Sequence, residues 1–465
     1  MVFSSLLFLG LFLPLLLAVY HLSPRNVTLK NIILLTASLL FYAWGEPVKI
    51  LLLLASAFAG YLGGVFIERF RGKLGAKVSL IASLTFLIGS LMLFKYTGFF
   101  VSNINGIFGT SIDFAGFTLP LGISFYTFQI LSYVIDVYRG RTGAQKSFYK
   151  LLLYVSLFPQ LVAGPIVRYV DVEAQINHRT VSADGVFSGI VRFTQGLLKK
   201  VILANYAGMA VTTLIGGDMS KQSALGAWLG IIMFTFQIYF DFSGYSDMAI
   251  GIGRMFGFSF LENFDYPYTS TSITEFWRRW HMSLGGFFRD YVYIPLGGNR
   301  RHQILNIVIV WFLTGFWHGA SWNFILWGLY YGALLIFEKK VLFRFFDKVP
   351  VIIRRVYTLA AVVGGWILFY FTDMASLKGF IIVALGRNLD ASNLQAISVL
   401  RRDSVLILLL AVFSTPILRT ALVRLRERLP RAFAWVMPCA CVAGLWVCFI
   451  LLISQSYNPF LYFRF

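Results

Sequence analysis

Apolar runs recur along this chain at lengths that suit a lipid bilayer. They lie near residues 2–20, 31–45, 48–66, 77–94, 118–138, 150–167, 187–214, 223–256, 304–337, 352–372, 404–422 and 432–455. A helix needs roughly 20 residues to cross the hydrocarbon core. Several of these runs are short, and 223–256 and 304–337 are too long for one straight crossing. The pattern predicts an all-α, polytopic integral membrane protein with about 11 to 13 spans, supplemented by re-entrant or interfacial helices. Composition agrees. Hydrophobic residues make up 58% of the chain and charged residues 13%, against about 25% charged in a soluble domain. The long apolar runs favour helices over a β-barrel, whose strands would read as short alternating segments. No linker, low-complexity tract or repeat interrupts the pattern, so residues 1–465 read as a single integral-membrane domain.

The net charge of +20 comes from 40 Lys and Arg against 20 Asp and Glu. No soluble basic domain gathers that charge, so nucleic acid is not an expected partner. Positive-inside topology and contact with anionic lipid account for it. Residues 67–77 carry Glu68, Arg69, Arg71, Lys73 and Lys77, which places that loop in the cytoplasm. Counting outward puts 21–30 and 139–150 inside, 46–49 and 95–117 outside, and the N-terminus outside. Basic clusters at 278–302, 339–355 and 419–431 extend the cytoplasmic face. Residues 1–20 lack the basic start and small-residue cleavage site of a signal peptide and read as a membrane helix. Cys439, Cys441 and Cys448 share one apolar stretch, match no zinc spacing, and read as buried helix residues.

Polar residues within such a chain carry the chemistry. Two of the five histidines lie in aromatic sequence: His281 in Glu275-Phe-Trp-Arg-Arg-Trp-His-Met-Ser-Leu-Gly285, and His318 in Gly315-Phe-Trp-His-Gly-Ala-Ser-Trp-Asn323. His318 falls inside a run of bilayer length, where an ionisable group is costly and marks a functional site by default. A neutral imidazole in a dry site suits a general base toward a hydroxyl; a histidine hydrogen-bonded between helices is the plain alternative. Gly315 and Gly319 would let backbone or a slim substrate approach closely, with Trp317 and Trp322 as walls and Asn323 beside them. Thr274 is placed to cap a helix beginning at Glu275, on which Trp277, Trp280, His281 and Leu284 share a face. Arg278 and Arg279 would point elsewhere, toward lipid headgroups or a phosphate-bearing donor. An interfacial aromatic and basic belt explains the same residues. In Tyr239-Phe-Asp-Phe-Ser-Gly-Tyr-Ser-Asp247, Asp241 and Tyr245 are candidates for a polar pocket; a helix break at Gly244 or pairing with Arg254 is the alternative. Gly164-Pro165 reads as a break or kink. No phosphate-binding glycine loop is present and the histidines stand apart from other ligands, so no metal or bound cofactor is expected.

These segments together resemble the membrane-bound O-acyltransferase family (MBOAT), and within it the bacterial branch that O-acetylates alginate and other cell-envelope polysaccharides. The resemblance rests on Met1-Val-Phe-Ser-Ser5, Phe41-Tyr-Ala-Trp44, Pro120-Leu-Gly-Ile-Ser-Phe-Tyr-Thr-Phe-Gln129 and Phe158-Pro-Gln-Leu-Val-Ala-Gly-Pro-Ile166. It continues through Asp241-Phe-Ser-Gly-Tyr-Ser-Asp247, both histidine segments, Asp290-Tyr-Val-Tyr-Ile-Pro-Leu-Gly-Gly-Asn299 and Tyr457-Asn-Pro-Phe-Leu-Tyr-Phe-Arg-Phe465. It implies a ring of helices around a central tunnel, with His318 as the essential histidine and His281 as the second signature histidine. It implies an acyl donor that is acetyl-coenzyme A or an acyl carrier protein thioester in the cytoplasm of a bacterium. The implied acceptor is a polysaccharide hydroxyl across the inner membrane, reached directly or through an exported SGNH-like partner. Trp277, Trp280, Trp317 and Trp322 become tunnel-wall candidates. D-alanyl transfer to teichoic acid, and an acyl channel without bond-making, are the competing readings.

Overall fold

Inside a bilayer the backbone has no partner but itself, and the chain meets that demand with helices. The computed structural model describes residues 2–162, 164–387, 392–455 and 457–461, and among them there is no strand. Seven described helices are long and apolar enough to cross a membrane. They are α1 (Val27–Gly45), α2 (Ile50–Arg69), α3 (Leu74–Phe108), α4 (Ala183–Ile215), α5 (Ala224–Met255), α10 (Val351–Tyr370) and α14 (Pro430–Ser454). Between α5 and α10 come α6 (Ile273–Arg279), α7 (Met282–Phe288), α8 (Gln303–His318) and α9 (Trp322–Lys340). Met374–Ala384 is α11; α12 (Ser404–Phe413) and α13 (Ile417–Arg428) form a pair bent by 68°, which would make an eighth span if continuous. Full-length spans are thus fewer than the apolar segments suggest, because Phe8–Leu22, Gln303–His318 and Met374–Ala384 fold as shorter helices.

The chain divides into two compact units: Met1–Phe193 with Ser246–Leu261, and Thr194–Tyr245 with Glu262–Phe465. In the first, α2 presents Gly60, Gly63 and Gly64 to its neighbours. A methyl group there would run into Ile130, Ser83 Oγ and the Tyr133 hydroxyl respectively. Small residues permit this approach where hydrophobic burial cannot drive one helix onto another. Phe3, Phe8, Phe41 and Phe158 form an aromatic cluster in the same unit. The α3 helix runs 35 residues, about 52 Å at 1.5 Å per residue, so the loop expected from 95 begins only at Gly109. Gly164 and Pro165 follow the short helix Phe158–Leu161, a break as expected; residue 163 lies outside the described residues.

In the second unit an aromatic core gathers Tyr268, Phe276, Trp280, Trp311, Trp327, Tyr331 and Trp366. Helices α8 and α9 meet there glycine to glycine. A Cβ on Gly315 would collide with the Phe324 carbonyl oxygen, and one on Gly328 with that of Trp311. Gly315 therefore serves helix packing, and Gly319, whose added Cβ would strike the Phe324 ring, does the same. Neither leaves room for a substrate. The α5 helix runs unbroken through Gly244, whose Cβ would lie 2.8 Å from the Gly196 carbonyl oxygen of α4. Of the cysteines on α14, Cys441 and Cys448 are buried, but Cys439 is exposed.

Candidate active site

His318 owes its position to the way the long apolar run 304–337 breaks. Gly319 is extended and Ser321, also extended, begins α9, so His318 is the last residue of α8 and sits at a hairpin rather than mid-span. Its ring is packed edge-on against Trp317, Trp327 and Phe369, with centroids 4.9, 4.9 and 5.3 Å away, and it is buried.

His281 also stands at a break. Ser272, not Thr274, caps α6, accepting a hydrogen bond from Glu275 N. Thr274 turns instead to the fully buried Glu338 carboxylate, which accepts from Thr274 N at 2.8 Å, its hydroxyl at 2.6 Å and Ile273 N at 2.5 Å. The helix stops at Arg279, and His281 takes a left-handed backbone (φ 45°) before α7 starts. Trp277, Trp280, His281 and Leu284 therefore do not share one helical face. The break turns the His281 ring inward, edge-on to Phe242 at 4.7 Å and 6.2 Å from Trp317.

Asn263 fixes its tautomer. The Asn263 Oδ1 accepts from Ser283 N at 3.2 Å and from Ser283 Oγ at 2.9 Å, so it faces His281 as an acceptor. The His281 Nδ1, 3.2 Å away, then carries the proton, leaving Nε2 as a lone pair. Burial lowers the His281 pKa to about 3, so the ring is neutral. Trp317 touches both histidine rings.

A small cavity of about 20 Å³ opens beside His318. Helix α5 contributes Ile238, Asp241 and Phe242; Trp280, Trp327, Trp366 and Phe369 close the sides; Phe460 and Leu461 complete the wall. That volume holds about one water molecule. The residues 457–461 are held in place by a buried ion pair. Lys200, in a π-helical turn of α4 (Lys199–Ala204), meets Asp241 at 2.6 Å, and both side chains are 3% exposed. The Lys200 ammonium also donates to the Pro459 carbonyl, and Leu461 N donates to Asp241 Oδ2 at 2.8 Å. Asp241 is thus a latch for this segment as well as a cavity wall. Tyr245, one turn on, packs on Phe460 at 4.8 Å and does not line the cavity.

A second cavity of about 890 Å³ shares Leu461 as a wall with the first. Three elements line both: α5 through Phe234 and Ile238, the end of α10 and its following turn through Phe369, Tyr370 and Phe371, and Leu461, which borders both spaces. Its polar rim includes Asp218, Thr372, Asp373 and Arg387. Hydrogen bonds from Ser220 and Ser376 hold the Asp218 and Asp373 carboxyls below their ordinary pKa, so both are ionised at neutral pH.

Other candidates lie elsewhere. Trp322 is 54% exposed and walls neither cavity. Trp277 packs on Trp311, Trp327 and Tyr331. Asn323 is buried and donates to the Leu368 carbonyl at 3.2 Å. Arg278 is exposed. Arg279 pairs with Glu275 at 2.7 Å; burial pushes that carboxyl up, but hydrogen bonds from Thr271 and the Arg279 charge outweigh it and hold its pKa low. Asp247 pairs with Arg192 at 2.7 Å. Sequence reasoning missed Lys200, Trp327, Trp366 and Phe369. Lys200 carried a usable signal, a cation within an apolar run; the aromatics look like any helix core. Among the described residues, no group of His, Cys, Asp and Glu is arranged to hold a metal ion.

The membrane-bound O-acyltransferase family profile matches residues 143–377, a span that contains both histidines, Lys200 and Asp241. The chain belongs to the membrane-bound O-acyltransferase family. It is 43% identical over 382 residues to a probable alginate O-acetylase AlgI of Azotobacter vinelandii, covering 79% of this chain and 75% of that relative. A probable alginate O-acetylase AlgI of Pseudomonas putida is 37% identical over 494 residues, covering 100% of both. A peptidoglycan O-acetyltransferase of Helicobacter pylori is 33% identical over 422 residues, covering 82% of this chain and 80% of that one. As a family member with seven or more apolar helices, the chain is a multi-pass membrane O-acyltransferase. The family span ends before Phe460 and Leu461, so this wall of the cavity comes from outside it. The last four residues of the segment, 462–465, lie outside the described residues.

Proposed function

We propose that this O-acyltransferase moves an acetyl group from a cytoplasmic thioester, acetyl-coenzyme A or an acyl carrier protein, to a hydroxyl on the far side of a bacterial inner membrane. The acceptor is a cell-envelope polysaccharide, reached directly or through an exported SGNH-like partner. The names of the relatives above support acetyl as the group and a polysaccharide as its destination. The observation that carries the reading is the placement of His318 in a small aromatic-walled cavity that shares Leu461 with a large polar-rimmed vestibule.

The chemistry follows from that placement. The His318 imidazole takes the acceptor hydroxyl proton as the oxygen attacks the thioester carbonyl. The tetrahedral intermediate collapses, expels the thiolate and leaves an ester. The thiolate takes the proton from the imidazolium, which restores His318. His281 acts beside it through Trp317. With its proton on Nδ1 facing Asn263, His281 keeps Nε2 as an acceptor, which fits orienting a donor group rather than donating to an oxyanion. A cavity with room for only about one water keeps bulk solvent from the thioester, and an acceptor hydroxyl that fills it displaces the competing nucleophile. The vestibule is the acceptor's entrance; the count from the basic loops makes the N-terminus extracytoplasmic.

The test is sidedness. In proteoliposomes with the protein in one orientation, labelled acetyl-coenzyme A on the basic-loop face is expected to yield labelled acceptor in the opposite compartment. Ester formation only when donor and acceptor share one compartment would reject transfer across the membrane.

A further inference from the structure

Helix α13 is unlike its neighbours: none of its residues is buried against the protein. It turns away from α12 by 68°. Ile417, Ala421 and Leu425 recur at four-residue spacing, with Leu418 and Leu422 beside them, so one face is a continuous apolar stripe. Arg424 borders the stripe on one side and Arg419 and Arg426 on the other, and Arg428 closes its C-terminal end. Thr420, Val423 and Glu427 take the back. Ile417 is 64% exposed and Leu425 44%. Arg431 follows at the start of α14, and against these five arginines the helix carries a single acid, Glu427.

We propose that α13 lies in the plane of the membrane surface and holds an anionic leaflet, rather than forming the second half of a broken span. At 12 residues it is about 18 Å long, short of the hydrocarbon thickness, and four guanidinium groups make it costly to bury in hydrocarbon. In the plane of the interface both problems vanish. The leucine stripe sinks among the acyl chains while arginines on either side reach up to phosphate. The two-sided border of cations selects the occupant. A flat anionic surface meets both rows at once and takes the stripe between them, whereas an acidic protein would satisfy the arginines and leave the leucines in need of a hydrophobic groove. The chain continues directly into α14, whose exposed Trp435, Val436 and Val442 face outward in the same way. Helix α13 thereby fixes the depth at which α14 enters the bilayer, and its four arginines with Arg431 make that anchorage depend on anionic lipid.

Spin labelling of the full chain in nanodiscs tests this. With Cys439, Cys441 and Cys448 replaced by Ala, a nitroxide is placed on Leu425→Cys or Glu427→Cys, both exposed positions where a label leaves packing intact. The bilayer is phosphatidylcholine alone or an equal mixture with phosphatidylglycerol. The Leu425 label is expected to relax with oxygen and to be shielded from an aqueous nickel chelate in the mixed bilayer, and the Glu427 label to behave in the opposite way. A variant with Arg419, Arg424, Arg426 and Arg428 changed to Gln is expected to lose the enrichment of spin-labelled phosphatidylglycerol around the protein, as is the parent at high salt. Equal exposure of both labels to the nickel chelate would overturn the proposal. So would phosphatidylglycerol enrichment unaffected by the four substitutions, or shielding of Leu425 that appears only when an acidic carrier protein is added.

Discussion

At His281 the backbone and the ring have separate tasks. The left-handed backbone ends one short helix and starts another, while burial holds the ring neutral and Asn263 sets its tautomer. In the unfolded chain the same imidazole protonates near its ordinary value of about 6.5. The folded state therefore binds fewer protons than the unfolded state between that value and the folded value of about 3. Stability contributed here is present above about pH 6.5 and is lost as the pH falls through that window. Thermal unfolding in detergent is expected to show a steeper loss between about pH 7 and 5 for the parent than for His281→Asn, asparagine being tolerant of the left-handed backbone. Equal slopes would remove His281 from the balance. At the Lys200–Asp241 pair, Asp241→Asn leaves a buried ammonium without its carboxylate, and the expected cost is roughly 3–5 kcal/mol. Lys200→Met combined with Asp241→Asn is expected to recover much of it, measured as unfolding midpoints of the three variants. The sequence marked Asp241 as polar in an apolar run but could not mark its partner, which lies on another helix, or the Leu461 amide it holds.

The helices themselves were legible where a run was long and uninterrupted, as in α1, α2, α5 and α14. They were less so where a polar or aromatic stretch folds back. The periodicity across 275–284 fits one helix, and the chain instead makes two, because Glu338, distant in sequence, anchors the start of α6 and Asn263 gathers the residues after its end. Hydropathy cannot see either contact. Glycine has the same ambiguity: Gly315 reads as room for backbone or for a slim substrate, and it serves as the point where two helices touch. A Gly315→Ala methyl meets the Phe324 carbonyl oxygen, which is backbone and cannot swing aside. The expected loss is about 1–3 kcal/mol, read as a lower unfolding midpoint. Gly286→Ala is the control, since nothing lies within 4 Å of its Cβ position and its helix continues through it. There alanine is expected to gain roughly 0.5–1 kcal/mol. A harmless Gly315→Ala would mean the two helices sit further apart than described.

On the scale of the whole molecule, membrane class and acyltransferase family were legible from apolar runs and motif strings together. The site was legible in its histidines and not in its enclosure. Walls from α5, α9, α10 and residues 460–461 converge beside His318 only after folding, and no spacing within one segment announces them. The central claim is that His318 does the chemistry in that enclosure. The most direct measurement changes His318 to Ala and follows both donor binding and labelled acetyl transfer in proteoliposomes at matched folded protein. Donor binding unchanged with transfer reduced by about 10²-fold or more is the predicted result. Transfer at the parent rate would contradict the account and leave the chain to pass acyl groups without making the bond.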